Sequence, residues 1–171
     1  GRPALHWVAR AQVHSDPPEK GRGGGKQDWL SVTLGPAMAA AQHELRLVSP
    51  YFVPGVTGLR WLGEMRERGV EVGVLTNSLA ANDVVAVHGG YAGYRKPLLQ
   101  AGVELFELMP HGQSSGSLFG SSGASLHTKA FVVDGESGFI GSFNMDPRSV
   151  SLNTEMGVVF EDAELARELR N

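Results

Sequence analysis

The chain contains no cysteine, which removes thiolate nucleophiles, Cys-ligated zinc and iron–sulfur clusters and leaves the redox compartment open. It has no basic excess either. Its 15 Lys and Arg stand against 18 Asp and Glu, for a net charge of -3, whereas a duplex-binding module carries a cationic face that neutralises several phosphates. No apolar run approaches the ~20 residues that cross a bilayer, and Gly1-Arg2-Pro3 has no hydrophobic signal core. What is present, 171 residues that are 42% hydrophobic and 19% charged, suits one globular domain. At that size a chain buries roughly 70% of its unfolded surface without staples.

Apolar and polar residues alternate over residues 7–14, with Trp7, Ala9, Ala11 and Val13 on one side, which predicts a half-buried strand ended by Asp16-Pro17-Pro18. Residues 19–26 are polar and Gly-rich, a mobile surface loop on this reading. Residues 1–27 read as an N-terminal strand and flexible Gly-rich loop, and residues 28–171 as one domain, which carries the motif described below. Asp28 is placed to cap a helix running to about residue 44 and bent at Gly35-Pro36. Strands at 45–49, 70–75 and 103–108 then alternate with helices at 57–68 and 82–101, the pattern of parallel strands covered by helices. Residues 111–125 are Gly- and Ser-rich without apolar periodicity, and loops of that length are usually functional or disordered. Strand-like stretches follow at 126–134, 138–141 and 154–160, then a helical stretch at 162–171. The fold class is α/β, an α/β/α sandwich with a mixed, largely parallel sheet.

The chemistry concentrates in Ser125-Leu126-His127-Thr128-Lys129-Ala130-Phe131-Val132-Val133-Asp134, followed by Gly141-Ser142-Phe143-Asn144. On a strand, His127 and Lys129 share a face because side chains repeat every second residue. A base and an ammonium side by side are costly in a core and sensible beside an anion. A phosphodiester suits both: Lys129 and the Asn144 amide donate to its non-bridging oxygens, and a neutral His127 attacks phosphorus.

This H-x-K-x4-D pattern followed by G-S-x-N closely resembles the HKD signature of the phospholipase D superfamily, over about residues 28–160. The resemblance implies a catalytic set of His127, Lys129, Asp134 and Glu155: His127 is the covalent nucleophile, Glu155 holds its other ring nitrogen, and the part of Asp134 is mainly structural. It implies phosphate binding by Lys129, Ser142 and Asn144, and no metal or cofactor. The strings Ser49-Pro50-Tyr51-Phe52-Val53-Pro54-Gly55, Leu75-Thr76-Asn77-Ser78 and Leu152-Asn153-Thr154-Glu155 look most like the C-terminal half of bacterial cardiolipin synthases, C-type subgroup. That likeness implies a phospholipid substrate such as phosphatidylglycerol, phosphatidyl transfer, and residence in the bacterial cytoplasm or at the inner-membrane surface as a peripheral protein. Tyr51, Phe52 and His88 are candidates for a substrate channel.

Active members of the family carry two such motifs, so that one His attacks while the other protonates the leaving alcohol. Here His6, His14, His43, His88 and His111 all lack a Lys two residues on. The site is therefore expected to be completed by a second HKD-containing half, from a symmetric copy or from a longer chain. A nuclease or phosphodiesterase is the first rival, disfavoured by the absent basic excess; a catalytically incomplete phosphate-binding half is the second. Two weaker matches fail on context. Gly112-Gln113-Ser114-Ser115-Gly116 has no Asp or Glu between Ser114 and His127, and Gly23-Gly24-Gly25-Lys26 lacks both the earlier Gly and the following Ser or Thr of a phosphate loop.

Overall fold

The computed structural model describes residues 7–81, 85–109 and 126–170. Seven strands form one sheet: β1 (Arg10–Ser15), β2 (Glu44–Val48), β3 (Glu71–Asn77), β4 (Glu104–Leu108), β5 (Lys129–Val133), β6 (Ser137–Gly141) and β7 (Met156–Glu161), in the order β1-β7-β6-β5-β2-β3-β4. The helices are α1 (Leu30–Ala39), α2 (Gly55–Glu67), α3 (Val85–Gln100), α4 (Pro147–Ser151) and α5 (Ala163–Arg170). The sheet is mixed. Its parallel pairings, β2 with β3 and β3 with β4, lie in the β-α-β segment that implied them. The other four pairings are antiparallel, so five strands point one way and only β5 and β7 oppose them. "Largely parallel" thus describes strand direction rather than neighbour pairing, because the second half of the chain folds as successive hairpins.

Period-two alternation divides the two faces. On β5, Phe131 and Val133 join Leu45, Leu47, Val72 and Val74 in a core shared with Leu34 and Met38 of α1, Leu62 and Met65 of α2, and Tyr91 and Leu98 of α3. Val132 faces the opposite way, against Phe160 and Ala166 of α5. The result is a sandwich with three helices on one side of the sheet and the short α5 on the other.

The β5–β6 turn is legible in Asp134-Gly135: both residues have positive φ, 52° and 66°, the demand of a type I′ turn that Asp-Gly meets cheaply. The Asp134 carboxylate does a second task, accepting the backbone N–H groups of Gln42, His43 and Glu44 at 2.8–3.3 Å as the chain enters β2. Burial alone would raise its pKa, but these N–H groups and the charge of nearby His43 outweigh burial and hold it below the usual carboxylate range. A depressed pKa stabilises the fold above the unfolded value of about 3.9, and that stability is lost as pH falls through the lowered folded value. Asp134→Asn should therefore reduce stability at neutral pH and flatten the acid limb of the denaturation midpoint against pH.

Four expectations change. Asp28 does not cap α1: its carboxylate accepts Gln27 Nε2 at 2.9 Å, and the helix N-terminus is met by Asp16, whose Oδ1 accepts the Leu30 N–H at 2.7 Å. Residues 19–26 are not a loose loop but enter two 3₁₀ turns, Pro18–Arg22 and Lys26–Asp28, with the Lys20 side chain buried. β1 is an exposed edge strand paired with β7 rather than half-buried. Helix α4 went unforeseen, although Asp146-Pro147 is a start signal: Asp146 caps it by accepting the Arg148 and Ser149 N–H groups, with Pro at the first position. The Gly/Ser-rich stretch 111–125, including Gly112 to Gly116, lies outside the described residues.

Candidate active site

The carboxyl ends of β2, β3 and β6 and the amino end of β5 coincide, because β5 runs antiparallel to β2 and β6. Open α/β sheets bind ligands at this edge. The loop 49–54 leaves β2 there, Asn77 closes β3, residues 142–146 leave β6, and residues 126–128 lead into β5. Asn77 grips that lead-in from both sides: its Oδ1 accepts the Leu126 N–H at 2.9 Å and its Nδ2 donates to the Leu126 carbonyl at 3.2 Å. This positioning role was not foreseen, although Asn77 stood in one of the strings carrying the family resemblance.

His127 lies two residues before β5, exposed, and Lys129 is the first strand residue, 8% exposed. The Lys129 ammonium donates to the His127 carbonyl at 2.6 Å and stands 3.5 Å from His127 Nδ1. Base and cation are thus neighbours, one open to solvent and the other walled by the sheet. Lys129 pairs with Gly141, which pairs with Gly157. Neither glycine admits a side chain, since a Cβ on either would strike the Phe139 ring, 2.5 Å away for Gly141 and 2.4 Å for Gly157. Phe139 in turn stacks on Phe131 at 5.6 Å. The floor beneath the lysine is therefore aromatic and fixed.

Beyond Gly141, the segment Ser142 to Asp146 is held by Ser149, Glu155 and Ser49. The buried Ser149 Oγ accepts the Asn144 N–H at 3.2 Å and donates to Glu155 Oε1 at 2.8 Å. Ser142 Oγ donates to Glu155 Oε2, and Ser49 Oγ accepts the Met145 N–H at 2.9 Å. Asn144 is buried and its Oδ1 accepts the Tyr51 N–H at 3.4 Å, leaving Nδ2 as the end free to donate. Two expectations shift. Glu155 accepts from the Ser142 and Ser149 hydroxyls, not from His127, and Ser142 Oγ is engaged by Glu155 and by the Met156 N–H.

A deeper tier was not foreseen at all. The Asp16 carboxylate accepts the Glu155 N–H at 2.8 Å, and the Asp16 N–H donates to the Glu155 carbonyl at 2.8 Å. Lys20, 0% exposed, donates to Asp16 Oδ2 and to the Ser149 carbonyl, both at 2.7 Å. A buried ion pair thus underlies the two residues that hold Asn144. Removing the Ser149 hydroxyl strands the Asn144 N–H and one Glu155 oxygen, so Ser149→Ala should cost about 1–3 kcal/mol of stability by urea denaturation.

Of the remaining candidates, Asp134 and Phe52 do not join the site. Asp134, counted with the catalytic set, sits at the far end of β5, roughly 20 Å from His127 at ~3.3 Å per strand residue, and anchors the entry to β2. Phe52 is no channel residue: it is 1% exposed and packs edge-on against Tyr91 with ring centroids 5.9 Å apart. Tyr51 is half-buried at the site, with its carbonyl accepting Ser49 Oγ at 2.6 Å. His88 falls in α3, and its side chain lies outside the described residues. Among the described residues, no group of three His, Cys, Asp or Glu is placed to hold a metal ion, and no helix is long and apolar enough to cross a membrane.

The arrangement has clear relatives. Residues 34–171 match the family described as cardiolipin synthase, PLD-like domain. The chain is 48% identical over 169 residues to Escherichia coli cardiolipin synthase C, covering 95% of this chain and 36% of that protein. It is 32% identical over 146 residues to Klebsiella pneumoniae cardiolipin synthase A, covering 85% and 27%. It therefore spans about a third of the length of these curated relatives. Among solved structures, Nuc, a phospholipase D family member from Salmonella typhimurium, superposes with a TM-score of 0.64 at 20% identity over 94% of this chain and 89% of that one. Phosphatidylserine synthase from Haemophilus influenzae gives 0.64 at 17% identity, over 94% and 37%. Those two likenesses speak for the fold. The family match over residues 34–171, most of the length of the chain, shows that it belongs to the phospholipase D-like domain family of cardiolipin synthases.

Proposed function

We propose that this chain is one half of a phospholipase D-type phosphatidyltransferase of the cardiolipin synthase kind, acting on phosphatidylglycerol or a related phospholipid through a phosphohistidine at His127. The observation that carries this reading is the exposed His127 imidazole with the buried Lys129 ammonium 3.5 Å from its ring, at the sheet edge where Asn144 presents its amide. Lys129 and Asn144 hold the non-bridging oxygens as charge builds in the transition state. His127 forms the N–P bond while the P–O bond to the leaving alcohol breaks, and the alkoxide takes its proton from a general acid on a second HKD-containing half. An acceptor alcohol or water then displaces His127. Glu155 serves here as a positioning residue, acting on Asn144 through Ser149.

A second half is needed because this chain holds one H-x-K motif, and coverage of only 36% of the E. coli relative leaves room for another. The site edge is read as facing a lipid surface, with the protein peripheral to it. The test is transfer or hydrolysis of phosphatidylglycerol against cleavage of single-stranded DNA, run on the complete assembly. Lipid turnover with intact DNA is expected, while DNA cleavage without lipid turnover would replace this reading by that of a nuclease.

A further inference from the structure

Between α1 and α2 lies a cavity of about 590 Å³ that α4, Phe143 and Met145 also line. Its volume falls within the ~300–1,000 Å³ of ordinary ligand sites. Leu34 and Met38 of α1, Trp61 of α2, and Val150 of α4 line it with those two residues. Asp146 is the one charged lining residue, and its carboxylate is engaged by the α4 N–H groups. Helix α1 has no charged residue from Leu30 to Ala39, and Val150 is 40% exposed, so the cavity opens to the surface as an apolar groove.

Three observations decide what it takes. The groove adjoins the edge that carries the candidate phosphate site: the loops leaving β2 and β6 there both line it, through Val53 and Pro54 and through Phe143, Met145 and Asp146. Apart from Asp146, its lining offers no charge to a polar ligand, which suits a flexible hydrocarbon. At its wall, Gly35 faces open space, where a Cβ would meet nothing within 4 Å. One molecule meets both regions at once, carrying an anionic phosphodiester and a long apolar chain.

We infer that this groove receives an acyl chain of the phospholipid substrate while Asn144 holds its phosphate. The inference rests on the phospholipid reading above and adds the place where a hydrocarbon tail is seated. Burying methylenes is the source of affinity, roughly three- to fourfold per added methylene until the groove is full.

The experiment titrates the protein with alkyl phosphates of eight, ten and twelve carbons, below their micellar concentrations, in a calorimeter. Wild type is expected to bind more tightly with each added methylene, with a negative heat-capacity change. Gly35→Leu fills the groove at a helical position that tolerates it. It should lower dodecyl phosphate affinity tenfold or more while leaving methyl phosphate binding unchanged. Thr57→Leu, filling from α2, should do the same and guards against a folding artefact in the first variant. Affinity independent of chain length, or an unchanged chain-length slope in both variants, would overturn the inference. So would a finding that Gly35→Leu weakens assembly with a second protein half and leaves alkyl phosphates unaffected, which would make the groove a protein seat. In either case a His127 adduct formed from a chain-free phosphodiester would leave the proposed reaction standing.

Discussion

Replacing Lys20 by methionine should lower the free energy of unfolding by about 3–5 kcal/mol, the cost of breaking a buried ion pair from one side. Methionine keeps the stem volume and removes only the ammonium. The Asp16 carboxylate would then be buried without a countercharge, still accepting the Leu30 and Glu155 N–H groups, and the Ser149 carbonyl would lose its donor. For a chain of this size, each kcal/mol shifts the melting temperature by about 2–4 °C, so the fall is readily measured. The double variant Lys20→Met/Asp16→Asn should recover part of the loss, because it no longer buries an unpaired charge. A coupling of 1 kcal/mol or more between the two sites is expected for direct partners. A loss below about 1 kcal/mol for Lys20→Met alone would mean that the pair is not buried as described.

His127→Ala should abolish phosphatidyl transfer by about 10⁴-fold or more, the order found when a covalent nucleophile is removed, while leaving the fold intact because His127 is exposed. Lys129→Met should cost about 10²–10³-fold in turnover, as for loss of one preorganised donor to a developing oxyanion. The two defects should differ in kind. Lys129→Met still forms the adduct, slowly; His127→Ala forms none. Equal residual adduct in both variants would take the nucleophilic role away from His127. Transfer should be measured in the assembly that supplies the second histidine, since a single half lacks a proton donor for the leaving alcohol.

Features governed by local pattern were legible in the chain itself. The alternation of Phe131, Val132 and Val133 placed β5, and the two-residue spacing of His127 and Lys129 made them neighbours; Asp134-Gly135 is a turn signal that was not used. The family resemblance supplied what spacing could not, the candidacy of Glu155. Long-range partners were hidden. Lys20 looked like a solvated loop residue because the atoms that bury it, on Ser149, lie 129 positions away. Asp28 looked like the cap of α1 because local rules cannot see Asp16 folding back from fourteen residues upstream. Phe52 and Tyr51 are adjacent and chemically alike, and only tertiary packing sends one into the core and leaves the other at the site. Glu155 was placed on the histidine, whereas two nearby serine hydroxyls take its oxygens first.

The most direct test of the central claim is intact-mass analysis of the chain, within the assembly that supplies the second histidine, after brief exposure to a phosphatidylglycerol substrate and a denaturing quench at neutral or alkaline pH, for wild type and His127→Ala. Acid is avoided in the digestion step that follows, because phosphohistidine is labile there. A mass increase equal to one phosphatidyl group, mapped to His127 and absent in the variant, is the predicted result. An adduct on another residue, or one that persists in His127→Ala, would contradict the account.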